Sequence, residues 1–226
     1  MKIAVLGTGM VGQAVAAKLA DLGHETTVGT RDPQATLART EPDGMGNPPF
    51  SAWHAEHPAV QLATFAEAAA PAELVVNATN GGVSLDVLNQ AGAANLAGKV
   101  LLDIANPLDF SQGFPPSLFV KDTDSLGETI QRAFPDLKVV KALNTMTAAL
   151  MVDPGLAAGG DHSVFVSGND ASAKQTVIDL LTSIGHADVI DLGDLSTARG
   201  TEMLLPIWLR LMGALGTPMF NFKIAR

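Results

Sequence analysis

The sequence predicts an α/β fold: a doubly wound parallel sheet, followed by a small C-terminal α/β extension that ends in a long apolar helix. Three observations predict it. Short apolar runs alternate with helix-length segments along most of the chain. Runs such as Leu74-Val75-Val76 and Val100-Leu101-Leu102 are apolar almost without interruption, as strands covered on both faces must be. The first run leads straight into Gly7-Thr8-Gly9-Met10-Val11-Gly12, a G-x-G-x-x-G, and a helical pattern begins inside it.

The elements follow in order. After the first strand, Val11, Ala14, Val15, Lys18, Leu19 and Leu22 recur one turn apart and make a helix that Gly23-His24-Glu25 ends. Thr26-Thr27-Val28 is the second strand, and a short helix follows over 34–39. Pro42, Gly44, Gly46, Pro48 and Pro49 form a breaker cluster, so 41–58 reads as a surface insertion. Val60-Gln61-Leu62 is a short strand, and Thr64 with Glu67 forms a capping box for a helix over 65–70. Strands over 74–79, 100–104 and 138–142 are joined by a helix after Asn80-Gly81-Gly82, an irregular segment over 107–123 and a helix over 125–133. Beyond about residue 145 come a strand (163–166), a helix (171–184), a short strand (189–192) and one long helix over 198–215. That last helix is apolar nearly all round and has to be buried, by the groove of its own nucleotide domain or by a second subunit. The expected organisation is a Rossmann-type nucleotide domain over 1–145, a substrate and dimerisation domain over 146–226, and a homodimer.

Composition excludes several classes. The 226 residues carry a net charge of −9, which disfavours general nucleic-acid binding. There is no cysteine, hence no disulfide, thiolate metal site or cysteine nucleophile. No leader-like stretch precedes the first strand, and the apolar stretch 203–215 is too short to span a bilayer, so a soluble cytoplasmic protein is expected. Charge is uneven: residues 1–198 balance at −12 and residues 199–226 at +3. A solvated basic face explains this, as does reception of an anionic second substrate.

Each glycine of the motif has a physical job. Gly7 allows a sharp turn, Gly9 lets a pyrophosphate lie against the backbone, and Gly12 lets helix and sheet pack closely. The helix N-terminus then faces the phosphates. An Asp or Glu about 20 residues further on would hold a ribose 2′-hydroxyl. Here the slot holds Thr30 and Arg31, a hydroxyl and a guanidinium suited to a 2′-phosphate, so NADP(H) is expected. The alternative is Asp32, displaced by two positions, holding NAD.

In an open parallel sheet, ligands bind beyond the carboxyl ends of the strands. Those ends carry Asn77, Thr79 and Asn80, then Ala105, Asn106 and Pro107, then Asn144, Thr145 and Met146. None is a general acid or base at neutral pH. His24, His162 and His186 fall at the opposite edge. His54 and His57 lie in the insertion without a third metal ligand, so no metal is expected. Carbonyl reduction normally needs a proton donor. Hydride exchange between two stacked redox rings can rely on proximity, worth roughly 7–11 kcal/mol. The residues therefore point to a nicotinamide exchanging hydride with a second redox cofactor.

These motifs resemble the NADPH-dependent coenzyme F420 reductases (F420:NADP oxidoreductases) over nearly the whole length. The resemblance rests on residues 7–12, on Gly29-Thr30-Arg31, on residues 139–146, and on the tail Leu204-Leu205-Pro206-Ile207-Trp208 with Phe220-Asn221-Phe222-Lys223. It implies a homodimer that binds NADP on a Rossmann domain and passes hydride between nicotinamide C4 and deazaflavin C5. Thr8, Met10 and Val11 would line the pyrophosphate, and Asn77, Thr79, Asn80, Ala105 and Asn106 the ribose and nicotinamide. Asn144, Met146, Pro107, Leu204 and Trp208 would position the second substrate. The chain departs from the family in having Asn144 where members tend to have His, and in its long segments 41–58 and 107–123. Another acceptor (a flavin, an imine or a chelated metal ion) and a non-catalytic NADP(H) sensor are the alternatives.

Overall fold

The computed structural model describes residues 1–42 and 46–226; Asp43, Gly44 and Met45, part of the predicted breaker cluster, lie outside the described residues. Strand β1 (Lys2–Leu6) runs into α1 (Met10–Asp21), β2 (Glu25–Thr30), α2 (Pro33–Leu37), α3 (Phe50–Glu56), β3 (Gln61–Thr64), α4 (Phe65–Ala69) and β4 (Leu74–Asn77). Then come α5 (Ser84–Ala91), α6 (Ala93–Leu96), β5 (Val100–Asp103), a hairpin of β6 (Leu108–Asp109) and β7 (Ser117–Leu118), α7 (Leu126–Ala133) and β8 (Lys138–Ala142). The chain finishes with α8 (Ala148–Val152), β9 (Ser163–Gly168), α9 (Ala171–Ile184), β10 (Asp188–Asp191), α10 (Ala198–Met203) and α11 (Leu205–Leu215).

One sheet takes eight of these strands in the order β10-β9-β8-β5-β4-β1-β2-β3. Because side chains alternate along a strand, two cores form. Ile3, Val5, Val76, Leu102 and Val140 pack under α1 and α9 on one face. Ala4, Leu6, Val75, Leu101 and Val139 pack with α4, α5 and α7 on the other. Local chemistry sets the ends of elements. Asp32 accepts from Ala35 N at 2.9 Å and caps α2, and the predicted Thr64–Glu67 capping box forms at α4.

Several expectations are corrected. The sheet is mostly rather than wholly parallel: β9 runs antiparallel to β8, and β10 follows β9. The chain reaches β9 through α8 and two 3-10 turns, without the long helical crossover that a parallel pair needs. The two strands therefore start at the edge where the others end, and His162 and His186 lie on that edge, not the opposite one. Segment 41–58 is not a bare insertion. It holds α3, whose Phe50 is buried and whose Trp53 packs against the core. His54 and His57 accordingly sit on and just after a helix, with ring nitrogens against the carbonyls of Val60 and Trp53. Segment 107–123 contains the β6–β7 hairpin. The long C-terminal helix is two: Pro206 has no N–H to offer, and the chain restarts at Leu205. Nor is this helix buried by its own chain. Leu205 is, while Ile207 and Leu215 are about half exposed, at 47% and 56%. No helix among the described residues is long and apolar enough to cross a membrane.

Candidate functional site

The chain leaves β1 toward β2 on one side, and β4 flanks β1 on the other. Loops diverge at this switch point and leave a crevice beyond the strand ends. The β1–α1 turn fills its base. Gly7 has φ 125°, a left-handed conformation, and a Cβ there would stand 2.7 Å from the Ala78 carbonyl oxygen. A Cβ on Gly12 would stand 2.1 Å from the Gly7 oxygen. At Gly9 a Cβ would meet nothing within 4 Å. Two glycines thus let the turn pack against its neighbours, and the third opens onto space above the first turn of α1. Among the described residues no side chain caps that turn, which leaves its N–H groups to an anion. Thr8, Gly9, Met10 and Val11 are the residues that could hold the pyrophosphate of a dinucleotide there. Gln13 donates to the Thr8 carbonyl at 2.9 Å and steadies the loop.

Met10 divides the crevice. On one side lies a cavity of about 870 Å³ lined by Thr8, Gly9, Thr36, Arg39 and Trp53, among others. On the other lies a cleft of about 380 Å³. Its lining includes Val11, Thr79, Asn80, Ala105 and Asn106 from the strand ends, Asn144 and Met146 after β8, and Leu205, Trp208 and Leu209 from α11. Among the described residues, none of the side chains lining this cleft titrates.

The predicted site residues divide by position. Met10, Val11, Thr79, Asn80, Ala105, Asn106, Asn144, Met146 and Trp208 meet in the cleft. Pro107 and Leu204 stand just outside the lining, where their neighbours Leu108 and Leu205 take part instead. Thr30 is buried, and its hydroxyl pairs with that of Thr36 at 2.9 Å; Arg31 beside it is exposed. Asn77 lies beneath the surface, fully buried, giving its amide to Asp103 and Ser84 and accepting from the Thr79 hydroxyl at 2.7 Å.

Asn144 and Asn106 interlock. Asn144 Nδ2 donates to Asn106 Oδ1 at 3.0 Å, and Asn106 Nδ2 donates to the Asn144 carbonyl at 2.9 Å. Asn144 Nδ2 also donates to the Thr201 carbonyl on α10 at 3.1 Å. Leu143, immediately before, is held at φ 64°, a left-handed conformation costing a non-glycine residue about 1–2 kcal/mol. The chain sustains that strain where it aims Asn144.

One group escaped the sequence reading. Lys141 is buried between two carboxylates, with Nζ 2.9 Å from Asp103 and 2.8 Å from Glu202. Burial pulls its ammonium toward neutrality, but Asp103 and Glu202 outweigh that and raise its pKa above the ordinary lysine value. The signal available was a single polar residue of inward parity near the end of each of three apolar strands: Asn77, Asp103 and Lys141. His162 and His186 are also buried, their rings 6.2 Å apart, with Nε2 atoms against the carbonyls of Pro154 and Met151. No group of three His, Asp or Glu suited to a metal ion occurs among the described residues.

Residues 2–107 match the family described as NADP oxidoreductase, coenzyme F420-dependent. The crystal structure of a protein from Arthrobacter sp. FB24, provisionally described as an F420-dependent NADP-reductase, is 70% identical, covers 100% of both chains and has a TM-score of 0.96. The chain is 28% identical over 215 residues to the F420-dependent NADP reductase of Methanothermobacter marburgensis, covering 93% of this chain and 92% of that one. It is 28% identical over 212 residues to metalloreductase STEAP3 of Rattus norvegicus; that alignment takes in 92% of this chain but spans 38% of the rat protein.

Proposed function

Because the chain belongs to the family of coenzyme F420-dependent NADP oxidoreductases, we propose that it transfers a hydride between NADPH and a deazaflavin of the F420 type in the smaller cleft. The observation that carries this reading is the cleft lining, whose described residues are all neutral. Reduction of a carbonyl would require a proton donor beside the nascent alkoxide. A ring acceptor requires chiefly that two planes be held face to face, and proximity of that kind is worth roughly 7–11 kcal/mol. Bound there, NADPH supplies the hydride from its nicotinamide ring.

The chain's own residues bind, orient and exclude water. Thr8, Gly9, Met10 and Val11 hold the pyrophosphate with backbone N–H groups and the positive end of α1. Arg31, exposed beside the buried Thr30–Thr36 hydroxyl pair, recognises the 2′-phosphate. Thr79, Asn80, Ala105 and Asn106 hold the ribose and nicotinamide end, above Asn77. Asn144 and Met146, with Leu205 and Trp208, position the second ring, and α11 shields it from water. The exposed apolar side chains of α11 face a second copy of the chain in a homodimer.

A second reading has one specific support, the alignment of 92% of this chain with a metalloreductase at 28% identity: the acceptor is a chelated metal ion or a flavin. One experiment separates the two. Purified protein is mixed with NADPH and oxidised F420, and the deazaflavin absorbance is followed, with FMN and a ferric chelate in parallel. Bleaching of F420 is expected. Turnover of FMN or the chelate without F420 selects the second reading, and NADPH binding without turnover of any acceptor refutes both in favour of a nucleotide sensor.

A further inference from the structure

We propose that Lys141 is a positioning residue: with Asn144 it docks consecutive residues of α10 onto the strand ends and so sets the width of the smaller cleft. The inference rests on that cleft being where the chemistry occurs.

The geometry begins in the sheet register. Asn77 stands opposite Asp103, and Asp103 opposite Lys141, across the neighbouring strands β4, β5 and β8. The three form one polar rung on a single face, just below the floor of the cleft. Lys141 Nζ donates to Asp103 within the rung, to the Ala105 carbonyl above it and to Glu202 on α10. Glu202 completes the joint by accepting from the N–H groups of Leu126 and Gly127, at 2.8 and 3.1 Å. Three residues further along the chain, Asn144 takes the carbonyl of Thr201, the neighbour of Glu202. Two adjacent residues of α10 are therefore gripped from one strand end, and α11 starts at Leu205, carrying the wall residues Leu205, Trp208 and Leu209. The same ammonium holds the floor, through Ala105, and the wall, through Glu202.

A buried ion pair adds little stability over well-packed apolar groups of the same size. Charge-assisted hydrogen bonds do fix distance and direction. Stacked rings need that property, since a displacement of about 1 Å can cost about a hundredfold in rate.

The chain has two tryptophans, Trp208 in the wall and Trp53 in the other cavity, so each can report alone. Lys141→Met is introduced into Trp53→Phe and, separately, into Trp208→Phe. The expected result is a red-shifted Trp208 emission with increased acrylamide quenching, and an unchanged Trp53 emission. A shift of both reporters means general loosening and overturns the proposal, as does a shift of neither. Where Lys141→Met does not fold, Glu202→Gln, which keeps the Lys141–Asp103 pair, carries the same test. In the otherwise unaltered chain, Lys141→Met should lower kcat/KM for the acceptor about a hundredfold and raise the NADPH Kd by less than about tenfold, since Ala105 is one of several dinucleotide contacts; equal losses in both would overturn it. The tryptophan readout needs no acceptor. If the unsubstituted chain fails to reduce F420, the function reading falls and the docking role of Lys141 is still decided.

Discussion

Thr30 ends the second strand with a hydroxyl, Arg31 follows it with a guanidinium, and the acidic neighbour is already engaged: Asp32 caps α2 through Ala35 N. Arg31→Ala should raise the NADPH Kd at least about tenfold, the worth of a charge-assisted hydrogen bond, with little change for NADH. Equal losses in a fluorescence titration would return the reading to NAD. The motif glycines separate in the same way. Gly9 has an ordinary φ of −76° and open space beside it, so Gly9→Ala should melt near the parent temperature yet bind NADPH at least about tenfold more weakly. Gly12→Ala forces a Cβ into the Gly7 carbonyl and should lower Tm by several degrees, roughly 2–4 °C per kcal/mol lost in a chain of this size. On the proposed function, Asn144 orients a ring and moves no proton. Asn144→Ala should therefore reduce turnover by less than about a thousandfold, and a greater loss in steady-state kinetics would assign it a chemical role.

Among the elements, the start of β9 and β10 carries a pH dependence. Desolvation holds the His186 pKa below the ordinary 6.5; the hydrogen bond to the Met151 carbonyl opposes it in part, and the facing His162 ring adds a smaller lowering contribution. The folded state therefore binds fewer protons than the unfolded state just below pH 6.5, and stability falls as pH drops through that range. Carboxylates contribute lower down. Asp124 is depressed by its bond to Arg132, Glu128 by Arg199 and Asp188 by Ser163, so their stabilisation is lost only as pH falls below the ordinary carboxylate values. Melting temperature should decline between pH 7 and about 5, and His186→Gln should flatten that slope. An unchanged slope in the variant would assign the effect elsewhere.

For the whole molecule, α11 poses the main question of assembly. It was expected to be covered, yet Ile207 and Leu215 are left open by the single chain. Sedimentation equilibrium should give about twice 23.4 kDa, as a two-fold pairing of this helix requires. Leu215→Glu should shift the protein toward monomer; a monomeric parent would mean that solvent alone covers this face.

Much of the fold was legible because it is written locally. Alternating periods announced the strands and helices, Thr64 and Glu67 marked a helix start, and the glycine spacing marked the turn after β1. The neutral residues after β4, β5 and β8 were equally readable, since parallel strands deliver their carboxyl ends to one edge. The reversal of β9, which carries His162 and His186 to that edge, was not, because strand direction depends on how a connection crosses the sheet. Nor was the joining of Asn77, Asp103, Lys141 and Glu202, which lie up to 125 positions apart in sequence. By itself, then, the chain determined which stretches fold and which turn can cradle phosphate; register and packing decided which polar residues meet. Periodicity is a property of neighbours along the backbone, whereas register compares strands that only the folded sheet brings side by side.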